Sequence, residues 1–98
     1  MNRDAIIARL RASEAELRSR GVVHAALFGS RARGDNRSDS DIDIIVDIAP
    51  DAVEDMFAYA GLKLYIAGLF EGPVDVIDRE GLKSYVRRAA TADALYAF

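Results

Sequence analysis

The sequence predicts an α+β domain, mixed α/β in arrangement, with a mixed sheet packed with helices. Three observations carry this. Two long stretches, Asn2 to Arg20 and Asp51 to Phe70, repeat apolar residues at helical spacing. Between and after them lie short apolar runs of strand length, Val22 to Phe28, Asp41 to Ile48 and Val74 to Ile77. Gly21, Gly29, Ala49-Pro50 and Gly72-Pro73 punctuate the boundaries. With 98 residues the chain reads as one domain, residues 1–98, since about 100 residues are needed to bury a useful core.

The first helix is predicted as one element. Ile6, Ile7, Leu10 and Leu17 form its apolar stripe; Asn2 can cap its start, Arg18 and Arg20 suit its negative end, and Gly21 offers a left-handed stop. Val22 to Phe28 is too short for a typical helix and reads as a buried strand. Gly29 to Gly34 is a turn that opens a single helical turn, followed by a polar loop from Asp35 to Ser40. In the second strand, a period of two puts Asp41, Asp43, Ile45 and Asp47 on one face and Ile42, Ile44, Val46 and Ile48 on the other.

The helix from Asp51 to Phe70 carries two apolar stripes. Val53, Met56, Phe57, Ala60, Leu64 and Ala67 form one; Leu62, Tyr65, Ile66 and Leu69 form the other. That width exceeds a simple surface helix, so either both stripes are buried or one is a docking surface. Gly61 and Gly68 weaken it by about 1 kcal/mol each relative to alanine. In the third strand Asp75 interrupts an apolar run, and Asp78 is placed to cap a third helix through Leu82, Tyr85, Val86 and Ala89. The apolar ending, Leu95 to Phe98, is expected to pack against something, either the core or a partner.

Composition narrows the function. Hydrophobic residues at 51% and charged residues at 30% describe a folded chain, not a disordered one. A net charge of −3 with scattered arginines argues against a broad nucleic-acid footprint. Without cysteine there are no disulfides and no thiolate metal sites. The N-terminal residues form a charged helical pattern rather than a signal-peptide core. No apolar stretch approaches the roughly 18 residues of a membrane span, so the cytoplasm is the expected location.

The chemistry concentrates in Gly29-Ser30 and in Asp41, Asp43 and Asp75. An acid at a strand mouth can be a plain solubility residue, but a second acid inside an apolar strand is expensive unless paired or bound to a cation. Three carboxylates on two neighbouring strands make a hard oxygen site suited to Mg²⁺, expected as two ions that activate one oxygen and stabilise another. Gly29 lets the backbone approach a phosphate, and the Ser30 hydroxyl can bond its oxygens. Arg31, Arg33 and Arg37 can add charge, or form a solvated face pairing with Asp35 and Asp39. Two rival motifs fail. Asp35 and Asn36 stand where a P-loop requires Lys and Ser or Thr, and Ile44 and Pro50 stand where an EF-hand requires Gly and Glu.

Gly29-Ser30, ten intervening residues and then Asp41-Ile42-Asp43 resemble the signature of the DNA polymerase beta nucleotidyltransferase superfamily. With Val74-Asp75-Val76 on a short chain, the pattern is similar to its minimal nucleotidyltransferase branch, and implies a small polymerase-beta-like fold. The resemblance implies that Asp41, Asp43 and Asp75 are catalytic and bind the metals, with Asp75 helping to deprotonate the acceptor hydroxyl. It implies that Gly29 and Ser30 hold the triphosphate of ATP, with Arg31 and Arg33 beside it. It further implies an antitoxin paired with a HEPN-domain ribonuclease toxin in a hetero-oligomer, neutralised by transfer of AMP onto a toxin tyrosine. Two alternatives stand beside it: a non-catalytic module that inhibits its partner by occlusion, and a transferase acting on a small molecule or an RNA 3′ end. His24 reads as a satisfied strand residue, and Tyr59, Tyr65, Tyr85 and Tyr96 as core or interface residues.

Overall fold

In the computed structural model, which describes residues 1–52 and 55–98, four strands form one sheet in the order β3-β2-β1-β4. The elements run α1 (Arg3–Ala12), α2 (Glu14–Ser19), β1 (Val22–Phe28), α3 (Ser30–Arg33), β2 (Ile42–Ile48), α4 (Met56–Ala67) and β3 (Val74–Asp78). A 3₁₀ turn (Arg79–Gly81), α5 (Ser84–Asp93) and β4 (Leu95–Tyr96) complete the chain. β2 pairs antiparallel with β1 and parallel with β3, so the sheet is mixed. The parallel step needs a crossover, which α4 supplies.

Ile42, Ile44 and Val46 of β2 join Val22, Ala25 and Leu27 of β1 in the main core, under Ile6, Leu10, Leu17, Leu62 and Ile66 from the helices. On the opposite face Ala26 and Ile45 meet Ala90 of α5, with Phe28, Leu82 and Ala94 around them. Three arginines of α1 tie distant segments to this frame by donating to carbonyls: Arg3 to Ala32, Arg9 to Leu69 and Arg11 to Ala97, at 2.8–2.9 Å.

Several expectations are corrected. The first helix is two, broken at Ser13, whose N–H turns back to the Leu10 carbonyl at 3.1 Å so that Leu10 and Leu17, on either side of the break, both reach the core. β1 is not buried throughout: its register shifts between Val22 and His24, leaving Val23 and His24 exposed. The second long helix starts at Met56 rather than Asp51. Asp51 has a left-handed φ of 64°, and Asp55 accepts from Ala58 N–H as the true cap. Asp78 caps the 3₁₀ turn through Glu80 N–H, and Lys83 stands at the start of α5 instead.

The two open questions on apolar surface resolve differently. Leu62 and Ile66 are buried, whereas Met56, Phe57 and Leu64 are 76%, 83% and 73% exposed, so only one stripe of α4 belongs to the core. Val53, expected on the same stripe as Met56, Phe57 and Leu64, lies outside the described residues. The C-terminal segment packs on the core: β4 pairs with β1, Ala97 is buried and donates to Ala25 at 2.8 Å, and Leu95 and Phe98 pack partly buried beside it. Of the tyrosines expected at core or interface positions, Tyr85 and Tyr96 are exposed and so lie outside the core. No described helix is long and apolar enough to cross a membrane.

Candidate active site

The site is made at the start of two parallel strands. Asp43 on β2 and Asp75 on β3 are register partners, so their side chains leave the same face of the sheet side by side. Asp41 stands just before β2 and adds its charge to Asp43. Asp43 is half-buried, and its carboxyl is pushed above the usual range, first by desolvation, then by Asp75 and Asp41; Arg31 and Arg33 oppose the shift. Burial was expected at Asp75. Asp75 is instead exposed, because β3 is an edge strand, and the cost of burying an acid falls on Asp43.

Gly29 closes the turn onto this cluster. Its backbone sits at φ 76° and ψ −153°, a region essentially reserved for glycine, and a Cβ there would lie 2.6 Å from Asp43 Oδ2. The turn and the carboxylate are therefore in direct apposition. Phe28, the preceding residue, pairs with Asp43 across β1 and β2, which fixes that approach. Ser30 opens α3, and its carbonyl accepts from Gly34 and Asp35 at 2.9 and 3.1 Å.

The arginines divide. Arg31 donates from Nε and Nη2 to the Ser40 carbonyl at 3.1 and 2.7 Å, and from Nη1 to Met1 at 3.4 Å. Arg33 is paired with Asp35 at 3.0 Å and Asp93 at 2.8 Å, contacts that raise its own pKa, Asp35 first. Arg37 lies 3.9 Å from Asp39 on the surface. The solvated-face reading thus describes Arg33 and Arg37, while Arg31 serves as a clamp across the loop.

The chain matches the nucleotidyltransferase domain family over residues 10–97. It belongs to the nucleotidyltransferase family. It is similar to the protein adenylyltransferase MntA of Thermococcus cleftensis, 33% identical over 88 residues, covering 89% of this chain and 87% of the relative. A solved structure provisionally assigned as a minimal nucleotidyltransferase superposes with a TM-score of 0.79 at 32% identity, covering 97% of this chain and 95% of the other. The fold also matches, with a TM-score of 0.64 at 20% identity, a chain of the complex between tri-AMPylated HEPN toxin and MNT antitoxin of Shewanella oneidensis; coverage is 94% of this chain and 71% of that one.

The donor set of this nucleotidyltransferase suits a hard divalent cation. Asp41, Asp43 and Asp75 offer only oxygen, and the mutual repulsion felt at Asp43 is what a bound cation relieves. Among the described residues no three His, Cys, Asp or Glu side chains close into a ready-made metal cage. An ion here would complete its shell with water and phosphate oxygens, which is how Mg²⁺ is commonly held.

Two structural residues escaped the sequence reading. Arg79, 15% exposed, lies 3.0 Å from Asp47 and donates to Tyr96 Oη at 2.6 Å, tying β2 to β4 beneath α5. Arg87 donates to the Leu82 carbonyl at 3.0 Å. Asp47 carried the only hint: it is a further acid on the Asp43 face, and such a residue requires a cation.

Proposed function

We propose that the chain is a Mg²⁺-dependent protein adenylyltransferase that acts as an antitoxin, transferring AMP from ATP to a tyrosine hydroxyl of a HEPN-domain toxin. The observation that carries the reading is the pairing of Asp43 with Asp75, with Asp41 beside them and the Gly29 turn against Asp43. The relation to a protein adenylyltransferase at 33% identity supports the choice of reaction and of a protein acceptor.

In the proposed reaction the tyrosine oxygen attacks the α-phosphorus of ATP. The new bond is O–Pα; the bond between Pα and its bridging oxygen to Pβ breaks, and pyrophosphate leaves with that oxygen. The phenolic proton passes to the Asp75 carboxylate, which is exposed and so open to an incoming acceptor. Gly29 and Ser30 line the triphosphate. Asp41 and Asp43 would hold Mg²⁺, which neutralises charge on the phosphates when bound. Positioning and charge neutralisation supply most of the rate.

Incubation with α-labelled ATP, Mg²⁺ and the HEPN-domain partner tests this. Label is expected on a partner tyrosine, abolished by Asp41→Asn and by chelation. Absence of transfer, or transfer indifferent to Asp41→Asn, would refute the catalytic reading.

A further inference from the structure

β3 is hydrogen-bonded to β2 on one side and, among the described residues, has no strand on the other. The bond from Ile42 N–H to the Pro73 carbonyl, 3.0 Å, sets the phase of the parallel ladder. Pro73, Asp75 and Ile77 turn their backbone groups to β2, and Val76 and Asp78 turn theirs outward. The Asp78 carbonyl opens the 3₁₀ turn that follows, whereas no strand among the described residues meets the N–H and C=O of Val76 or the N–H of Asp78. Unpaired edges of this kind are templates for an added strand.

A shallow groove runs beside the edge. This open depression of about 340 Å³ touches Asp75, Val76, Ile77 and Asp78. Successive side chains point to opposite faces, so a void that meets all four runs along the strand's edge rather than over one face. Tyr59 and Lys63 of α4 form one wall, and Gly81 with Leu82 the other. A second cavity of about 550 Å³ shares Tyr59, Asp78 and Gly81 and continues toward Asp55 and the exposed Met56. Among the described lining residues Asp55, Asp75 and Asp78 face a single cation, Lys63. The groove is acidic, has an apolar far end, and opens at Asp75 onto the carboxylate cluster.

We propose that the acceptor polypeptide docks along the β3 edge between Asp75 and Asp78 as an added extended strand bearing basic side chains. The proposal rests on the adenylyltransferase reading and names where its substrate sits. Main-chain pairing supplies affinity without demanding a fixed sequence, and the acidic walls select lysine or arginine flanking the tyrosine. The three steps from Asp75 to Asp78 span about 10 Å at strand rise, which brings a side chain of the added strand to the carboxylates.

Backbone amide exchange on the full chain, followed residue by residue, tests the docking without ATP. The probe is an eight-residue peptide of alternating threonine and lysine with one central tyrosine; its counterpart has glutamate for lysine. The basic peptide is expected to slow exchange at Val76 and Asp78 at least tenfold, leave Asp75 and Ile77 unchanged, and outcompete the acidic one. Gly81→Leu supplies the block: Gly81 lines the groove and a Cβ there meets nothing within 4 Å, so the side chain is added without a clash at Cβ, and circular dichroism checks that the variant is folded. It is expected to abolish the protection and to raise the KM for the acceptor at least tenfold with ATP affinity unchanged. Unaltered exchange at Val76 and Asp78, or protection that survives Gly81→Leu, would overturn the proposal. Loss of AMP transfer with edge protection retained would instead refute the adenylyltransferase reading alone.

Discussion

Gly29→Ala separates the two demands made on one residue. The backbone at φ 76° and ψ −153° costs a side-chain-bearing residue about 1–3 kcal/mol. In a domain of this size that lowers Tm by about 4–8 °C per kcal/mol. The added methyl also meets Asp43 Oδ2 at 2.6 Å, and ordinary contact begins at 3.4 Å, so the carboxylate must retreat by about 0.8 Å. A displacement near 1 Å at a reacting centre can cost about 100-fold in rate. Gly34→Ala is the control. Gly34 is also left-handed, at φ 84°, but the nearest atom to its Cβ is Arg3 Nη1 at 3.9 Å, so it carries the backbone strain of about 1–2 kcal/mol and displaces nothing. Thermal unfolding followed by circular dichroism should show both variants destabilised. Single-turnover AMP transfer, measured well below both midpoints, should fall about 100-fold for Gly29→Ala and hold for Gly34→Ala. Equal activity in the two variants would refute the claim that Gly29 is needed for the position of Asp43.

Two further outcomes follow from the same structure. Because the Asp43 carboxyl is raised in the folded state, the native protein holds its proton more tightly than the unfolded chain; stability is lost as pH rises through that window and stays lower above it. Asp43→Asn should therefore unfold at higher urea than the wild type at pH 7 without divalent cation, with the difference shrinking toward pH 4, and should respond less to added Mg²⁺; a variant no more stable than wild type at pH 7 would contradict this. On α4, Ile66→Ala removes a fully buried side chain and should cost about 2–5 kcal/mol, whereas Leu64→Ala, 73% exposed, should stay within about 0.5 kcal/mol by denaturant titration.

What could be read beforehand tracks how local the controlling forces are. Val22 to Phe28 was legible as a short apolar run between Gly21 and Gly29, and the second strand as a period of two ending at Ala49-Pro50, because both signals are written in the strands and their flanks. The break at Ser13 was not, since the apolar spacing from Ile6 to Leu17 continues across it and only packing onto the sheet decides the turn. Asp78 was correctly a capping residue but for the wrong helix, because the 3₁₀ turn that intervenes has no pattern of its own. The two stripes of α4 could not be ranked: hydropathy is similar on both, and which one meets β3 depends on the tertiary crossover. At the site, residue types and spacing identified Asp41, Asp43 and Asp75 as a group. That Asp43 rather than Asp75 carries the burial follows from β3 lying at the edge, a fact of strand order.

The role of Arg31 follows from that same geometry. Ten residues separate Ser30 from Asp41, and an unrestrained loop of that length would leave the glycine turn and the first acid free to drift apart. Arg31, in α3, reaches across and grips the carbonyl of Ser40, the residue before Asp41, with two guanidinium N–H groups. A lysine has the charge but not the planar fork that holds one carbonyl from two nitrogens. Asp41 is thereby held from its N-terminal side by Arg31, as Asp43 is held against Gly29 from β1. Both acids of the Asp-Ile-Asp motif are thus positioned by the turn that begins at Gly29, while Asp75 answers only to β2 register and the open edge. This division makes the Gly29-to-Asp43 half of the site the restrained one and leaves Asp75 as its accessible side.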